Sequence, residues 1–313
     1  MDQKDKAAKA GRTPPRQFTE EVRAAVRAMC PIDDLFFNKM AEDPAVCEEI
    51  ISTILQTRVQ VRSVIPQDTI TSLQGRSVRL DALADALPAL RASVVLLEDS
   101  PLGPKGAFIN IEVQKSDDDD HQRRARFNAS AITMNATPSG TKKFRDIPDV
   151  VELFISAFDL FHKGKNRYVI DRVIRGEGTV VHNGLTEIYV NTAVRDTSTQ
   201  PLRKLTDLMA LFSDSDTYDF EQFPNFSARK HLFKETEEGE YNMSDLLEQL
   251  IGKRVHTALQ AAEQEKQAAL QATASKNIKS IMENLGMSLE KAMDVLSIPL
   301  NERATYANLV KGS

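Results

Sequence analysis

The feature that most constrains the fold is an almost uninterrupted apolar segment, VVELFISAF at Val150–Phe158. A short apolar run of this kind is typical of a strand that is buried on both faces. Such a strand lies in the middle of a sheet that helices cover on both sides. The segment therefore predicts a chain built around one central sheet.

Other strands and helices are predicted on either side of this segment. Alternating or apolar runs predict further strands. They are Val59–Val64, Ser77–Ala82, Ser93–Leu97, Ala107–Gln114, Tyr168–Val173, Thr179–His182 and Glu187–Asn191. Helical patterns cover residues 20–55, 120–134 and most of the chain after Leu202, with Gly239 as a break. The order indicates an α/β or α+β protein with a central mixed sheet flanked by helices.

Helix starts are indicated at two acidic residues near the N-terminus. Asp34 can cap a helix that carries Leu35, Phe36 and Met40, and Asp43 with Pro44 resembles a cap followed by a first-turn proline. These signals predict two short helices before the first strand.

The length of 313 residues predicts about two domains. We expect a disordered tail at residues 1–18, broken by two prolines, and an α/β domain at 19–213. A linking extension at 214–243 and a helical C-terminal region at 244–313 would follow. The long stretch Ser244–Ala274 fits either a partly exposed connecting helix or a helix for self-association.

Composition excludes several classes. A net charge of −5 gives no general basic field for nucleic acid, and no apolar run approaches the roughly 18 residues of a membrane helix. Cys30 and Cys47 form no CxxC pair, so two free thiols in a cytoplasmic protein are expected. The N-terminus has no apolar segment of the kind that secretory signals contain.

One predicted strand carries the strongest candidate for chemistry. Successive side chains alternate between the two faces of a strand, so in AFINIEVQ Glu112 and Gln114 lie on the same face as Asn110. The opposite face is apolar. Asp81 ends the earlier segment SVRLDA, where it shares a face with Arg79.

Two carboxylates on neighbouring strands form an oxygen site suited to Mg²⁺ or Mn²⁺. Asp81 and Glu112 are the candidate ligands, and the backbone carbonyl of Val113 is a further one. Gln114 cannot be a general base, because its amide can only orient a water molecule or a phosphate oxygen. Alone, this pair is a weak motif, since isolated acids on strands are mostly surface or capping residues.

Several segments in order resemble one known family. They are RSVRLDALA, INIEVQ, RRARFNASAIT, IPDVVELFISAFDLF, YVIDRVI, NGLTEIYVNTAVRD and ARKHLFKETEEG. Together they resemble the PD-(D/E)XK nuclease family transposases, also called recombination-promoting nucleases. The similarity runs from about Asp34 to the C-terminus, and SIMENLGMSLEKAMDVLSIP resembles the helical tail of that family.

The resemblance implies a restriction-endonuclease-like core of αβββαβ order with a helical C-terminal extension, and cleavage of DNA with a divalent metal. Asp81 and Glu112 match the metal-binding acids. Gln114 stands where the wider superfamily has lysine and where this family commonly has glutamine. Asp34 fits the acidic position of the first helix, for which Asp33 or Glu49 are alternatives.

Basic residues follow the acidic strand. Arg124 and Arg126, in RARFN, match the basic helix of the family and are expected to contact phosphate. Helical spacing also places Arg123 and Arg126 on one face, where they could grip phosphates.

Two departures from the family pattern bear on the site. Asp81 and Glu112 are separated by 31 positions and Asp85–Leu97 resembles an insertion. A shift of one residue in register would turn Asp81 to the wrong face. Glu98 or Asp99 would then replace it, or the site would be inactive. Asn38 stands where the family prefers lysine.

Weaker signals lie next to the candidate site. Asp117–Asp120 could hold a cation, although acids are also common at a helix start, which is the favoured interpretation. His121 could carry a proton beside the metal or be an ordinary surface or hydrogen-bonded histidine.

The expected function is that of a Mg²⁺-dependent DNA endonuclease linked to recombination or transposition. The alternative from another class is a catalytically inactive protein that keeps the nuclease fold and binds DNA or another partner. A ribonuclease that uses the same site is a third reading. No membrane association is expected, and the C-terminal helices are candidates for forming a homo-oligomer.

Overall fold

The computed structural model describes residues 17–66, 69–71, 77–88, 107–141 and 143–311. The chain divides into two compact units, one ending at Leu247 and the other beginning at Glu248.

The first unit contains the strands and six of the helices found in the described ranges. The strands are β1 (Val59–Pro66), β2 (Thr69–Thr71), β3 (Ser77–Arg79), β4 (Ala82–Pro88), β5 (Ala107–Gln114), β6 (Asp149–Ser156), β7 (Arg167–Ile170), β8 (Arg172–Val173), β9 (Val180–Val181) and β10 (Leu185–Asn191). The helices are α1 (Glu20–Ala28), α2 (Asp34–Met40), α3 (Pro44–Leu55), α4 (His121–Ala136), α5 (Gln200–Ser213) and α6 (Pro224–Glu235). A 3₁₀ turn at Phe144–Asp146 precedes β6.

Six of these strands form one mixed sheet in the order β1-β4-β5-β6-β10-β7. The pairs β1–β4, β4–β5 and β10–β7 are antiparallel, whereas β6 is parallel to both β5 and β10. The prediction of an α/β protein with a central mixed sheet is confirmed. The apolar run forms β6, which lies between β5 and β10, and seven of its eight residues are buried.

The two faces of the sheet have different contents. One face carries Ile109, Ile111 and Val113 of β5 into the main core, which α2, α3, α5 and α6 complete with buried side chains such as Phe36 and Phe212. The other face is covered by α4, and a smaller apolar cluster there includes Leu83, Ala129, Ile132 and Val150. The alternation predicted for β5 is therefore present.

The capping signals were partly correct. The Asp43 side chain accepts a hydrogen bond from the backbone N–H of Ala45 at 3.0 Å, and Pro44 begins α3 as predicted. Asp34 was expected to cap α2 but is its first residue, and Asp33 occupies the capping position.

The segment before β5 is organised differently from the prediction. Ser77–Ala82 is not one strand: β3 pairs with β2 in a separate small sheet, and β4 begins at Ala82. Asp85 was expected to start an insertion but lies in β4, between β1 and β5. The pattern hid this strand because the β4 residues that face the main core are alanines, Ala82, Ala84 and Ala86, which have low strand propensity. The predicted strand Ser93–Leu97 and the substitutes Glu98 and Asp99 lie outside the described residues.

The later hairpins also differ in their limits. Tyr168–Val173 was predicted as one strand, but it divides into β7 in the main sheet and β8, which pairs with β9. Glycines at 176 and 178 take positive φ in the turn between β8 and β9.

The segment 214–243, predicted as a linking extension, includes α6, whose Phe226 and Phe233 are buried in the main core. Gly239 was expected to end a helix but lies inside α7. A Cβ atom there would come within 1.9 Å of the Leu232 carbonyl oxygen, so close backbone approach explains this glycine.

The second unit is helical. The helices are α7 (Glu237–Leu285), α8 (Leu289–Val295) and α9 (Arg303–Lys311), with α7 beginning in the first unit. Ile278, Ala292, Met293 and Tyr306 form a small buried cluster. Within the described ranges, none of the helices combines the length and apolar character that crossing a membrane requires.

Candidate active site

Asp81 and Glu112 lie opposite each other at one end of the β4–β5 pair. Ala82 pairs with Ile111 in antiparallel register, so the preceding residue, Asp81, faces Glu112. Opposite residues of an antiparallel pair share a face of the sheet. The backbone N–H of Val113 donates to Asp81 Oδ2 at 3.0 Å, and the backbone N–H of Asp81 donates to the Glu112 carboxylate. Each acid is thus held by the strand of the other.

A third acid comes from the N-terminal end of α2. The Asp34 side chain is hydrogen-bonded to the Asp81 carboxyl, and the Asn38 amide, one turn later, donates to Asp34 Oδ1 at 2.8 Å. The alternatives to Asp34 have other partners. Asp33 accepts from Lys115 at 2.6 Å, and Glu49 accepts from the first residues of α6.

Glu112 is buried, with 7% of its surface exposed. Its Oε1 atom accepts from Asn110 Nδ2 at 3.1 Å and from Asn128 Nδ2 at 3.0 Å. Asn110 precedes it by two residues on the same face of β5, whereas Asn128 comes from α4. The carboxylate is therefore fixed by donors from two elements.

The electrostatics favour a bound cation. Burial raises the pKa of Asp81 well above its usual value, and the nearby charges of Glu112 and Asp34 add to the rise. Burial also raises the pKa of Glu112 to about 7, although the Asn110 amide and the charge of Arg124 act in the opposite direction. Glu112 is buried, Asp81 is half-buried and Asp34 is exposed. Like charges held this close resist ionisation unless a cation joins them.

The donor set fits a hard divalent cation. Asp34, Asp81 and Glu112 offer carboxylate oxygens only, and Mg²⁺ is held in proteins by one or two such groups. The backbone N–H of Val113 donates to Asp81, and the Val113 side chain is buried in the main core. A metal-binding role of the Val113 carbonyl stays a prediction.

Gln114 is connected to the basic helix α4. Its Oε1 atom accepts from Arg124 Nη1 at 3.1 Å and its Nε2 atom donates to the Ser116 carbonyl at 2.9 Å. Arg124 also donates to Asp118 at 2.9 Å and to Asp120 at 3.0 Å. Asp118 and Asp120, which precede α4, therefore partly neutralise the charge of Arg124 next to the candidate site.

Arg123 and Arg126 are exposed on α4. Their expected contact with phosphate is compatible with this exposure and stays a prediction.

A second group of metal-binding side chains lies at the start of α4. In the part of the chain that the structure describes, ligand atoms of Asp118, Asp120 and His121 lie within 4.8 Å of one another. Both aspartates are exposed and paired with Arg124. Arg124 therefore balances the charge of these two aspartates in the absence of a metal ion.

His121 is not a surface residue. It is 1% exposed, packs against Phe154 and Phe158, and its Nε2 atom contacts Asp117 at 3.0 Å. It secures the start of α4.

Three polar residues of this region were assigned no role from the sequence. Asn110 was placed on the correct face of β5, and Asn128 lies in the quoted RARFN segment. Glu152 is 2% exposed and accepts from Asn110 Nδ2 at 2.8 Å. Its signal was present, since it is a charged residue inside an otherwise apolar strand.

No family model, no curated protein and no solved structure matches this chain.

Proposed function

We propose that this chain is a Mg²⁺- or Mn²⁺-dependent DNA endonuclease of the PD-(D/E)XK type, with Asp81 and Glu112 as metal ligands. One observation carries the proposal. The two acids face each other across adjacent antiparallel strands, and each accepts an N–H from the strand of the other. Asp34 adds a third carboxylate to the same place.

The order of elements supports the restriction-endonuclease-like core that the sequence resemblance implies. Helix α3 is followed by β1, β4 and β5, which are adjacent and antiparallel. Helix α4 then leads to β6, which is parallel to β5. Apart from the small β2–β3 sheet, this is an αβββαβ order. The link to recombination or transposition, and a cytoplasmic location, rest on the sequence alone.

Each residue of the site has a defined task in this proposal. When bound, a divalent cation supplies positive charge against a phosphodiester and lowers the pKa of a water molecule. Asp81 and Glu112 hold the cation, with Asp34 beside them. Gln114 orients a water molecule or a phosphate oxygen, because its amide can donate and accept but cannot take up a proton.

The substrate would be held by the basic residues of α4. Arg124 brings a positive charge to the Gln114 side of the site, and Arg123 and Arg126 project into solvent from the same helix. Arginine forms bidentate contacts with phosphate. In this arrangement catalysis consists of positioning and charge stabilisation.

Cleavage of supercoiled plasmid by the purified protein tests the proposal. We expect nicking in Mg²⁺ or Mn²⁺, and we expect EDTA to abolish it. Asp81→Ala and Glu112→Ala should each lower the nicking rate at least 100-fold, which is in the range found for the loss of a catalytic electrostatic group. Asp118→Ala is the matched control, since it removes an acid of the second group and is expected to leave cleavage in place. A folded wild-type protein that cuts neither DNA nor RNA would contradict the proposal, and cleavage of RNA alone would assign the site to a ribonuclease.

One observation favours a second function, that of a non-catalytic protein that keeps this fold and binds DNA or another partner. Arg124, the arginine that contacts Gln114, is already paired with Asp118 and Asp120. DNA binding without cleavage, unaffected by Glu112→Ala and weakened by Arg123→Ala with Arg126→Ala, would identify that function.

A further inference from the structure

We infer that Asn110, Asn128 and Glu152 are positioning residues that fix the carboxylate of Glu112 for cation binding. The inference rests on the proposed function, because it assumes that Glu112 is a metal ligand. It assigns a task to three buried polar side chains that the proposed mechanism otherwise leaves unused.

The first step is the pair of amides on one oxygen. Asn110 and Asn128 both donate to Glu112 Oε1, at 3.1 and 3.0 Å, from β5 and from α4. Two donors from separate elements restrict rotation of the carboxylate about its terminal bond. Groups that hydrogen-bond a metal ligand in this way set its orientation and tune its affinity for the metal.

The second step is the anchor of Asn110. Its Nδ2 atom uses its other hydrogen to donate to Glu152 Oε2 at 2.8 Å. Asn110 and Glu152 are direct neighbours in the register of β5 and β6, so the contact joins adjacent strands. With both hydrogens of its amide engaged, Asn110 is held in one orientation between the two glutamates.

The third step concerns why Glu152 is present. It lies in the most apolar strand of the sheet and is 2% exposed, and its Oε1 atom has no hydrogen-bond partner in the described ranges. Burying such a group destabilises a fold compared with an apolar residue of similar size. A residue that breaks the local pattern at this cost is expected at a functional site.

Binding of Mn²⁺ to the full-length protein, measured from the EPR signal of free Mn²⁺, tests the inference without any need for activity. We expect Asn110→Ala and Asn128→Ala each to weaken Mn²⁺ binding ~10–100-fold, the usual cost of losing a group that supports a metal ligand. Asn166→Ala is the matched control. Asn166 is also buried, and its Nδ2 donates to the Leu202 carbonyl and the Thr206 hydroxyl. Its Oδ1, like that of Asn110, has no hydrogen-bond partner among the described residues.

Glu152 is tested by a conservative and a truncating variant. Glu152→Gln keeps an oxygen that can accept from Asn110, so Mn²⁺ affinity is expected within about threefold of the wild type. Glu152→Ala removes the anchor and is expected to weaken binding about tenfold or more. Equal losses in the two variants would contradict the anchoring role of Glu152.

Thermal unfolding of every variant separates positioning from folding. Mn²⁺ affinity unchanged in Asn110→Ala and Asn128→Ala, or lowered equally by Asn166→Ala, would overturn the inference while leaving the proposed metal ligands in place. Mn²⁺ binding unaffected by Asp81→Ala and Glu112→Ala would instead reject the proposed site, and the inference with it.

Discussion

At the scale of single residues, the site contains two buried glutamates, Glu112 and Glu152, and the half-buried Asp81. Glu112, Asp81 and Glu152 all have pKa values raised chiefly by burial. Such groups destabilise the metal-free fold when they ionise, and a cation reverses this effect. The sequence predicted the faces of Glu112 and Gln114, because alternation alone determines them. It did not reveal the asparagines as donors, since only the packing of α4 on β5 brings Asn128 to Glu112.

Glu112→Gln is expected to stabilise the metal-free protein at pH 8. The folded-state pKa of about 7 lies above the usual value of 4.5, so the folded protein binds more protons and loses stability as pH rises through this window. Removing the ionisation is therefore expected to raise the free energy of unfolding by roughly 3 kcal/mol at pH 8 and by much less at pH 5. Urea unfolding in EDTA at both pH values measures this difference, and Asp118→Asn serves as the exposed control. A lower stability of Glu112→Gln than of the wild type at pH 8 would contradict the raised pKa of Glu112.

At the scale of elements, the sheet is built as predicted around β6, but its register depends on a strand that the pattern obscured. Ala82, Ala84 and Ala86 of β4 are buried in the main core. Asp85–Leu97 was expected to be an insertion because Asp81 and Glu112 are 31 positions apart, and the alanines of β4 carry little strand signal of their own. Once β4 is recognised, its register with β5 places Asp81 opposite Glu112.

Helix α6 is joined to the end of α5 by one buried lysine. Lys230 is fully buried and donates to the carbonyl oxygens of Leu211, Asp214 and Thr217 at 3.0, 2.6 and 2.8 Å. Burial lowers its pKa to about 8. This role could not be predicted from the sequence, because a single lysine in a helical pattern is normally solvated.

Lys230→Met is expected to destabilise the protein by about 3 kcal/mol or more, because three carbonyl groups lose their donor in a buried place. Lys266→Met is the matched control on the exposed part of α7 and should change stability by less than about 0.5 kcal/mol. Chemical denaturation of both variants measures the difference. Equal effects would mean that the Lys230 contacts contribute nothing net.

At the scale of the whole molecule, the chain consists of a sheet-containing unit and a helical unit. The main core and the candidate site belong to the unit that ends at Leu247. Between residues 251 and 270 α7 is exposed throughout, including Ile251, Val255 and Leu259. Self-association through these helices stays a prediction. The sequence located the long helix from its composition but placed its start too late, since Gly239 resembled a break.

Ending the chain after Leu247 is expected to leave the first unit folded. Its core includes Met243 but no residue beyond Leu247. A unit that has its own hydrophobic core can usually fold alone. Circular dichroism should show a cooperative thermal transition, and Mn²⁺ affinity should stay within about threefold of the full chain. Loss of the transition would show that residues 248–313 are required for the fold.

Anomalous diffraction from crystals grown with Mn²⁺ tests the central claim most directly, because it locates the cation among the two candidate groups of acids. We predict a single strong peak between the carboxylates of Asp81 and Glu112, with oxygen ligands at about 2.0–2.2 Å, close to the distances found for Mg²⁺. The peak should be absent in Glu112→Gln. A peak at Asp118, Asp120 and His121 instead, or no peak between Asp81 and Glu112 at saturating Mn²⁺, would contradict the assignment of this pair as the metal centre.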